Sequence, residues 1–201
     1  MPLLQLVELS FDYQDLPLLA HISFQLDEGD LLHIHGANGS GKTTLLKLLG
    51  GLYRPSSGVI QYKGTVIDDE LVNYQGNLCF VGHKTGISPY LTVKENCIFD
   101  THFNKDTDVL ELVTIFKLEK YLNTPCGLLS AGQRRQVALL RLWLTHAAIW
   151  LLDEPFVALD DKALAILMNK IKTHREKGGA VILTSHQHLF LEKAAYKDYY
   201  L

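Results

Sequence analysis

The run Gly36-Ala37-Asn38-Gly39-Ser40-Gly41-Lys42-Thr43, continued by Thr44, fits G-x-x-x-x-G-K-[ST] at every fixed position. Leu31-Leu32-His33-Ile34-His35 before it reads as a short strand, and Lys42 to Gly50 after it as a helix. A loop in that setting suits phosphate. Glycines let backbone N–H groups converge on phosphate oxygens, and the helix start adds partial positive charge. The Lys42 ammonium then reaches the terminal phosphates, while the Thr43 hydroxyl serves as a Mg²⁺ ligand. The sequence therefore predicts a nucleotide site with Mg²⁺ as its metal.

Outward from the loop, Leu4, Leu6, Leu9 and Phe11 alternate, as do Ile22, Phe24 and Leu26, predicting paired strands. Pro55-Ser56-Ser57-Gly58 turns into a second pair, Val59–Tyr62 and Thr65–Ile67, and Asn77–Val81 reads as a further strand. Residues 84–147 read as mostly helical. Ala148–Leu152 and Ala180–Thr184 are continuous apolar runs, the pattern of strands buried on both faces. A helix from Lys162 to Lys177 separates them and stops at Gly178-Gly179. Tyr199-Tyr200-Leu201 is placed to close the sheet. Strands alternating with helices predict an α/β fold with a mainly parallel sheet. An N-terminal antiparallel β subdomain precedes it, and a helical subdomain, residues 84–147, is inserted in the α/β core.

The chain has 201 residues, enough for one domain with a sizeable subdomain. Its net charge of −3, with 47% hydrophobic and 20% charged residues, is that of a globular protein rather than a disordered one and argues against broad nucleic-acid binding. Cys79, Cys97 and Cys126 form no C-x-x-C pair, so neither a disulfide framework nor a zinc site is predicted. The start lacks the basic residues of a secretory signal. The most apolar stretch, Val137–Leu152, is broken by Arg141 and His146 and is shorter than the ~20 residues of a membrane span. No direct membrane insertion is expected, and membrane association would run through a partner.

Two further segments carry chemistry. The apolar strand ending in Asp153-Glu154 delivers two carboxylates to a strand's carboxyl end, where α/β sheets bind ligands. Asp153 is suited to the Mg²⁺ hydration shell and Glu154 to polarising an attacking water; a solvated strand end is the alternative. Leu129-Ser130-Ala131-Gly132-Gln133 opens a helix with Ser130 as N-cap, a second helix start able to face an anion. Arg134 and Arg135 in its first turn oppose the helix dipole, which points either to an anion or to local ion pairing.

The LSAGQ segment resembles the signature of ABC-transporter ATPases, with Ala131 in place of the commoner Gly. Pro155 after the Asp-Glu pair, Ala158-Leu159-Asp160 as a D-loop, and His186 as the switch histidine agree with it in order along the chain. Tyr13 is placed like the aromatic that stacks on adenine, with a core tyrosine at a strand end as the alternative. The resemblance implies a head-to-tail homodimer, in which each ATP lies between one subunit's phosphate loop and the other's Ser130–Gln133 segment. It also implies Glu154 as general base, His186 at the γ-phosphate and Asp160 signalling across the dimer. His83 stands where the family usually has a Mg²⁺-sensing Gln, either in that role or as a tolerated replacement.

Gly82-His83-Lys84-Thr85-Gly86-Ile87, Leu91-Thr92-Val93-Lys94-Glu95-Asn96, Arg141-Leu142-Trp143-Leu144, Trp150–Phe156 and Thr184-Ser185-His186-Gln187 further resemble the ATPase subunit of the bacterial cytochrome c maturation haem exporter. That resemblance implies integral membrane subunits as partners, docked around residues 84–128. It implies a peripheral place on the cytoplasmic face of the inner membrane and ATP hydrolysis linked to haem handling. The ATPase of another small exporter is the alternative within the family. A small P-loop phosphotransferase accounts for the phosphate loop but not for Ser130–Gln133 or His186. A soluble ABC protein acting on ribosomes or DNA would call for two ATPase units or long coiled insertions. Among nine histidines, His33/His35 alternate on a strand and His186/His188 flank the switch position. No metal or haem-attachment motif joins them, so haem ligation by this chain is not expected.

Overall fold

The computed structural model describes residues 1–13, 16–100, 105–186 and 195–201. Two sheets organise it. Strands β1 (Leu4–Tyr13), β2 (Leu16–Leu26), β4 (Ser57–Tyr62) and β5 (Thr65–Val66) form an antiparallel sheet in the order β2-β1-β4-β5. Strands β3 (Leu31–His35), β6 (Leu78–Val81), β7 (Ile149–Asp153), β8 (Ala180–Thr184) and β9 (Lys197–Tyr200) form a parallel sheet, β6-β7-β8-β3-β9. The fold is α/β with both layers expected.

Every residue of β7 and β8 is buried. Alternate side chains enter two different cores because successive Cβ atoms point to opposite sheet faces. On one face, Leu32, Ile34, Ile149, Leu151 and Ile182 pack under helix α1 (Lys42–Leu49) and the antiparallel sheet. On the other, Leu31, Trp150, Leu152, Val181 and Leu183 pack against helix α7 (Asp161–Glu176), through Leu167 and Ile171, and against the segment between β6 and β7. Those continuous apolar runs are thus two-faced strands.

The segment between β6 and β7 is less regular than its mostly helical pattern predicts. Its described residues hold α3 (Val93–Ile98), α4 (Val109–Thr114), α5 (Ala131–Leu139) and α6 (Arg141–Leu144), plus two 3₁₀ turns, Glu119–Tyr121 and Cys126–Leu128. Side chains take over what helix bonds would do elsewhere. The Asn96 amide donates to the carbonyls of Ser88, Leu91 and Thr92, pinning an irregular run onto α3. A six-residue helix that the sequence pattern did not reveal, α2 (Leu71–Gly76), has no side-chain cap. It is anchored by buried Tyr74, whose hydroxyl donates to the Leu49 carbonyl at the end of α1. All three cysteines are buried free thiols, and burial pushes Cys79 and Cys97 up to about 12. Among the described residues, no helix is long and apolar enough to cross a membrane.

Candidate functional site

The carboxyl ends of parallel strands β3, β7 and β8 lie at one edge of the sheet, and the loop after β3 curls over that edge into α1. Gly41 opens the helix with φ of +96°. That φ strains any residue but glycine, and a Cβ there would also press within 2.8 Å of the Leu19 side chain. The Lys42 Nζ turns back across the loop and donates to the carbonyls of Gly36, at 2.7 Å, and Ala37, at 3.0 Å.

Three side chains and one backbone amide link the strand ends. Thr43 Oγ1 donates to Asp153 Oδ2 at 2.8 Å, Thr184 Oγ1 donates to Asp153 Oδ1 at 2.8 Å, and the Glu154 amide donates to Thr184 Oγ1 at 3.0 Å. Asp153 is almost fully buried, its carboxylate held between two hydroxyls. Glu154 adopts φ of +50°, the left-handed region that non-glycine residues rarely enter. That turn carries its side chain to His186, whose amide donates to Oε2 at 3.3 Å and whose Nε2 lies 3.5 Å from Oε1.

An open cavity of about 400 Å³ collects Asn38, Gly39, Gly41, Lys42, Thr43 and Thr44 from the loop, with His83, Asp153, Glu154 and His186 opposite. Most of the residues nominated from sequence for phosphate, metal and base chemistry therefore meet around one cavity, while Gly36, Ala37 and Ser40 of the loop are not on its lining. Tyr13 does not join them. It is 56% exposed at the end of β1, which excludes the core reading, and the apolar side chains lining the cavity are Leu18 and Val157. Gln187 and His188, beyond His186, lie outside the described residues.

The Ser130–Gln133 segment also stands apart from this cavity. Ser130 and Gln133 form a reciprocal capping box: the Gln133 amide donates to Ser130 Oγ, and the Ser130 amide donates to the Gln133 side chain. Ser130 and Ala131 are exposed. Gly132 packs so closely on the next loop that a Cβ would lie 2.6 Å from the Ala158 carbonyl oxygen. Asp160 in that loop caps α7 by accepting from the Ala163 amide.

Sequence reasoning missed the task of Arg135. Its guanidinium is buried and donates to the carbonyls of Gly82, Asp153, Glu154 and Pro155. Burial lowers its pKa to about 10, against the upward pull of the Asp153 and Glu154 carboxylates, so it stays charged at neutral pH. A first-turn arginine against the helix dipole was the available signal; that its partners are backbone carbonyls of a distant strand end is visible only in the fold.

Residues 19–157 match the family model described as ABC transporter. The chain belongs to the ABC transporter family. It is 56% identical, over 99% of its length and 100% of the relative's, to the cytochrome c biogenesis ATP-binding export protein CcmA of Legionella pneumophila (strain Lens). The protein of the same name from Escherichia coli O157:H7 is 41% identical, over 94% of this chain and 91% of its own. Among solved structures, an ATP-binding subunit of an ABC transporter superposes with a TM-score of 0.82 at 25% identity, covering 92% of this chain and 79% of that one. A dimeric post-hydrolysis state of the cassette MJ0796, bound to ADP and phosphate, gives 0.80 at 27% identity, covering 92% and 88%. As an ABC ATPase, the chain binds and hydrolyses ATP, which sets the phosphotransferase reading aside.

Proposed function

We propose that this ABC ATPase powers an export complex in c-type cytochrome biogenesis, acting with integral membrane subunits at the cytoplasmic face of the bacterial inner membrane. Its end-to-end similarity to export proteins named for that process carries the reading. The surface around residues 84–128, within the helical subdomain of residues 84–147, is the docking face for the membrane subunits.

Within the site, Gly36–Thr44 cradle the phosphates of ATP and Lys42 turns from the loop carbonyls to the γ-phosphate. Glu154 accepts a proton from the attacking water, and His186, already against that carboxylate, supports the γ-phosphate side. Thr43 and Asp153 fit Mg²⁺, since both offer hard oxygen donors and already face one another at 2.8 Å. Mg²⁺ held there would neutralise phosphate charge. His83 lines the same cavity, which supports a role at the ion's hydration shell.

The exposed Ser130–Ala131 helix start, turned away from the chain's own cavity, favours a head-to-tail homodimer in which it completes the partner's ATP site. Asp160 then serves as the contact across the dimer, and Tyr13, exposed at the end of β1 and outside the cavity of the single chain, is the candidate to stack on adenine. Affinity capture of the tagged chain from detergent-solubilised membranes, with partners identified by mass spectrometry, tests the assignment. Haem-handling membrane subunits are the expected partners; recovery of an unrelated permease alone would overturn the cytochrome link while leaving the ATPase.

A further inference from the structure

On the far side of β3 from the α1 core, His33 and His35 project from the same sheet face because they are two residues apart on one strand. The parallel pairing of β3 with β9 sets His33 opposite Asp198 and His35 opposite Tyr200. One donor atom from each of His33, His35 and Asp198 lies within 4.8 Å of the others. His35 Nε2 is 2.6 Å from Asp198 Oδ1, and His33 Nδ1 is 4.0 Å from the same oxygen.

We propose that His33, His35 and Asp198 form a site for a divalent transition-metal ion of the zinc class. Two imidazoles and a carboxylate are a donor set that Zn²⁺ takes with one position left to water. Three observations favour it over a chance cluster. First, His33 is oriented from behind: its Nε2–H donates to the carbonyl of Ser185 at 3.1 Å. A carbonyl only accepts, so in neutral His33 the metal-binding lone pair sits on Nδ1, which faces Asp198. Second, the Tyr200 ring stacks on His35 with centroids 4.6 Å apart and planes 13° apart, holding the second imidazole. Third, His33 is buried while the His35 and Asp198 side chains are 29% and 24% exposed, so the ion has a floor and a solvent entrance.

Tetrahedral ligation at about 2.0–2.1 Å needs donors about 3.4 Å apart. The observed 2.6 and 4.0 Å straddle that spacing, within reach of small side-chain rotations. On binding, His35 gives up the Nε2 proton that now faces Asp198 and carries its one proton on Nδ1 instead, so the ion takes the bridging place by a change of tautomer. None of the three residues lines the nucleotide cavity, which makes this site distinct from that of the ATP-bound cation. It is nevertheless close in the chain, because Ser185 precedes His186.

The test is titration of the chelator-treated, nucleotide-free full chain with Zn²⁺ by calorimetry, and with Co²⁺ by visible absorption. One equivalent is expected, with Co²⁺ bands of nitrogen–oxygen ligation at low coordination number. His35→Asn and Asp198→Asn, both at partly exposed positions, should each weaken binding about tenfold or more. His21→Asn, which disrupts the exposed His21–Glu8 pair, should leave it unchanged. Circular dichroism melts confirm that each variant is folded. Absence of stoichiometric binding in the wild type, or equal binding in both ligand variants, would overturn the site.

Discussion

The Arg135 guanidinium reaches from α5 to the backbone carbonyl of Glu154 at 2.8 Å, so the helix that Ser130 caps holds one side of the cavity by its main chain. The same group bonds the carbonyl of Asp153 at 2.8 Å. Arg135→Ala should cost about 3 kcal/mol or more, because several buried carbonyls lose a charged donor together. Arg135→Lys keeps the charge but not the planar fork, and should recover only part of that. Denaturant unfolding gives the stability. ATPase assays at temperatures where both variants are folded should show a further loss in kcat as Glu154 loosens.

Glu154→Gln should lower ATP hydrolysis by about 10²–10⁴-fold, the usual contribution of a positioned general base, while leaving ATP binding intact. Size-exclusion chromatography with ATP should then show a stable dimer. Lys42→Ala should instead abolish nucleotide binding. Wild-type turnover in the Gln variant would remove Glu154 from the role of base.

Asp160 separates helix capping from signalling. Asparagine caps as well as aspartate, so Asp160→Asn should hold stability within a few tenths of a kcal/mol, whereas Asp160→Ala should cost about 1 kcal/mol. If Asp160 also acts across a dimer, the Asn variant should lose ATPase cooperativity at full stability. Unchanged kinetics would confine the residue to its bond with Ala163.

His174 sets a stability window in pH. Its ring stacks on Trp150 at 3.7 Å, and burial lowers its pKa from 6.5 to about 4. The unfolded chain therefore binds this proton at higher pH than the folded one. Stability should be full above about pH 6.5 and decline as pH falls from there toward about 4. His174→Gln should flatten that part of the profile. The cap carboxylate Glu95, whose pKa is held below 4.5 by hydrogen bonds from Thr92, acts at lower pH, where stability is lost as it protonates. Urea midpoints across pH 4–7 for wild type and variant would show whether the slopes differ.

Much of the molecule was legible in sequence because its signals are local. The loop from Gly36 to Thr43 needs glycines and a lysine within eight residues, and β7 and β8 need only unbroken apolar runs. The cap at Ser130 is likewise satisfied by the amide of Gln133, three residues on. The helix α2 escaped because what holds it is one tyrosine bonded to a carbonyl 25 residues away.

By itself, then, the order of residues determined the phosphate loop, the buried strands and the carboxylate pair at a strand end, each a matter of near neighbours and periodicity. Tertiary structure alone decided how they meet. It set Thr43 on Asp153 across 110 residues and left Tyr13 outside the cavity. It also turned Arg135 onto carbonyls up to 53 residues distant and brought Asp198 to His35 across 163. The parallel register of the sheet dictates those encounters, and it arises only when both apolar faces of β7 and β8 are buried together.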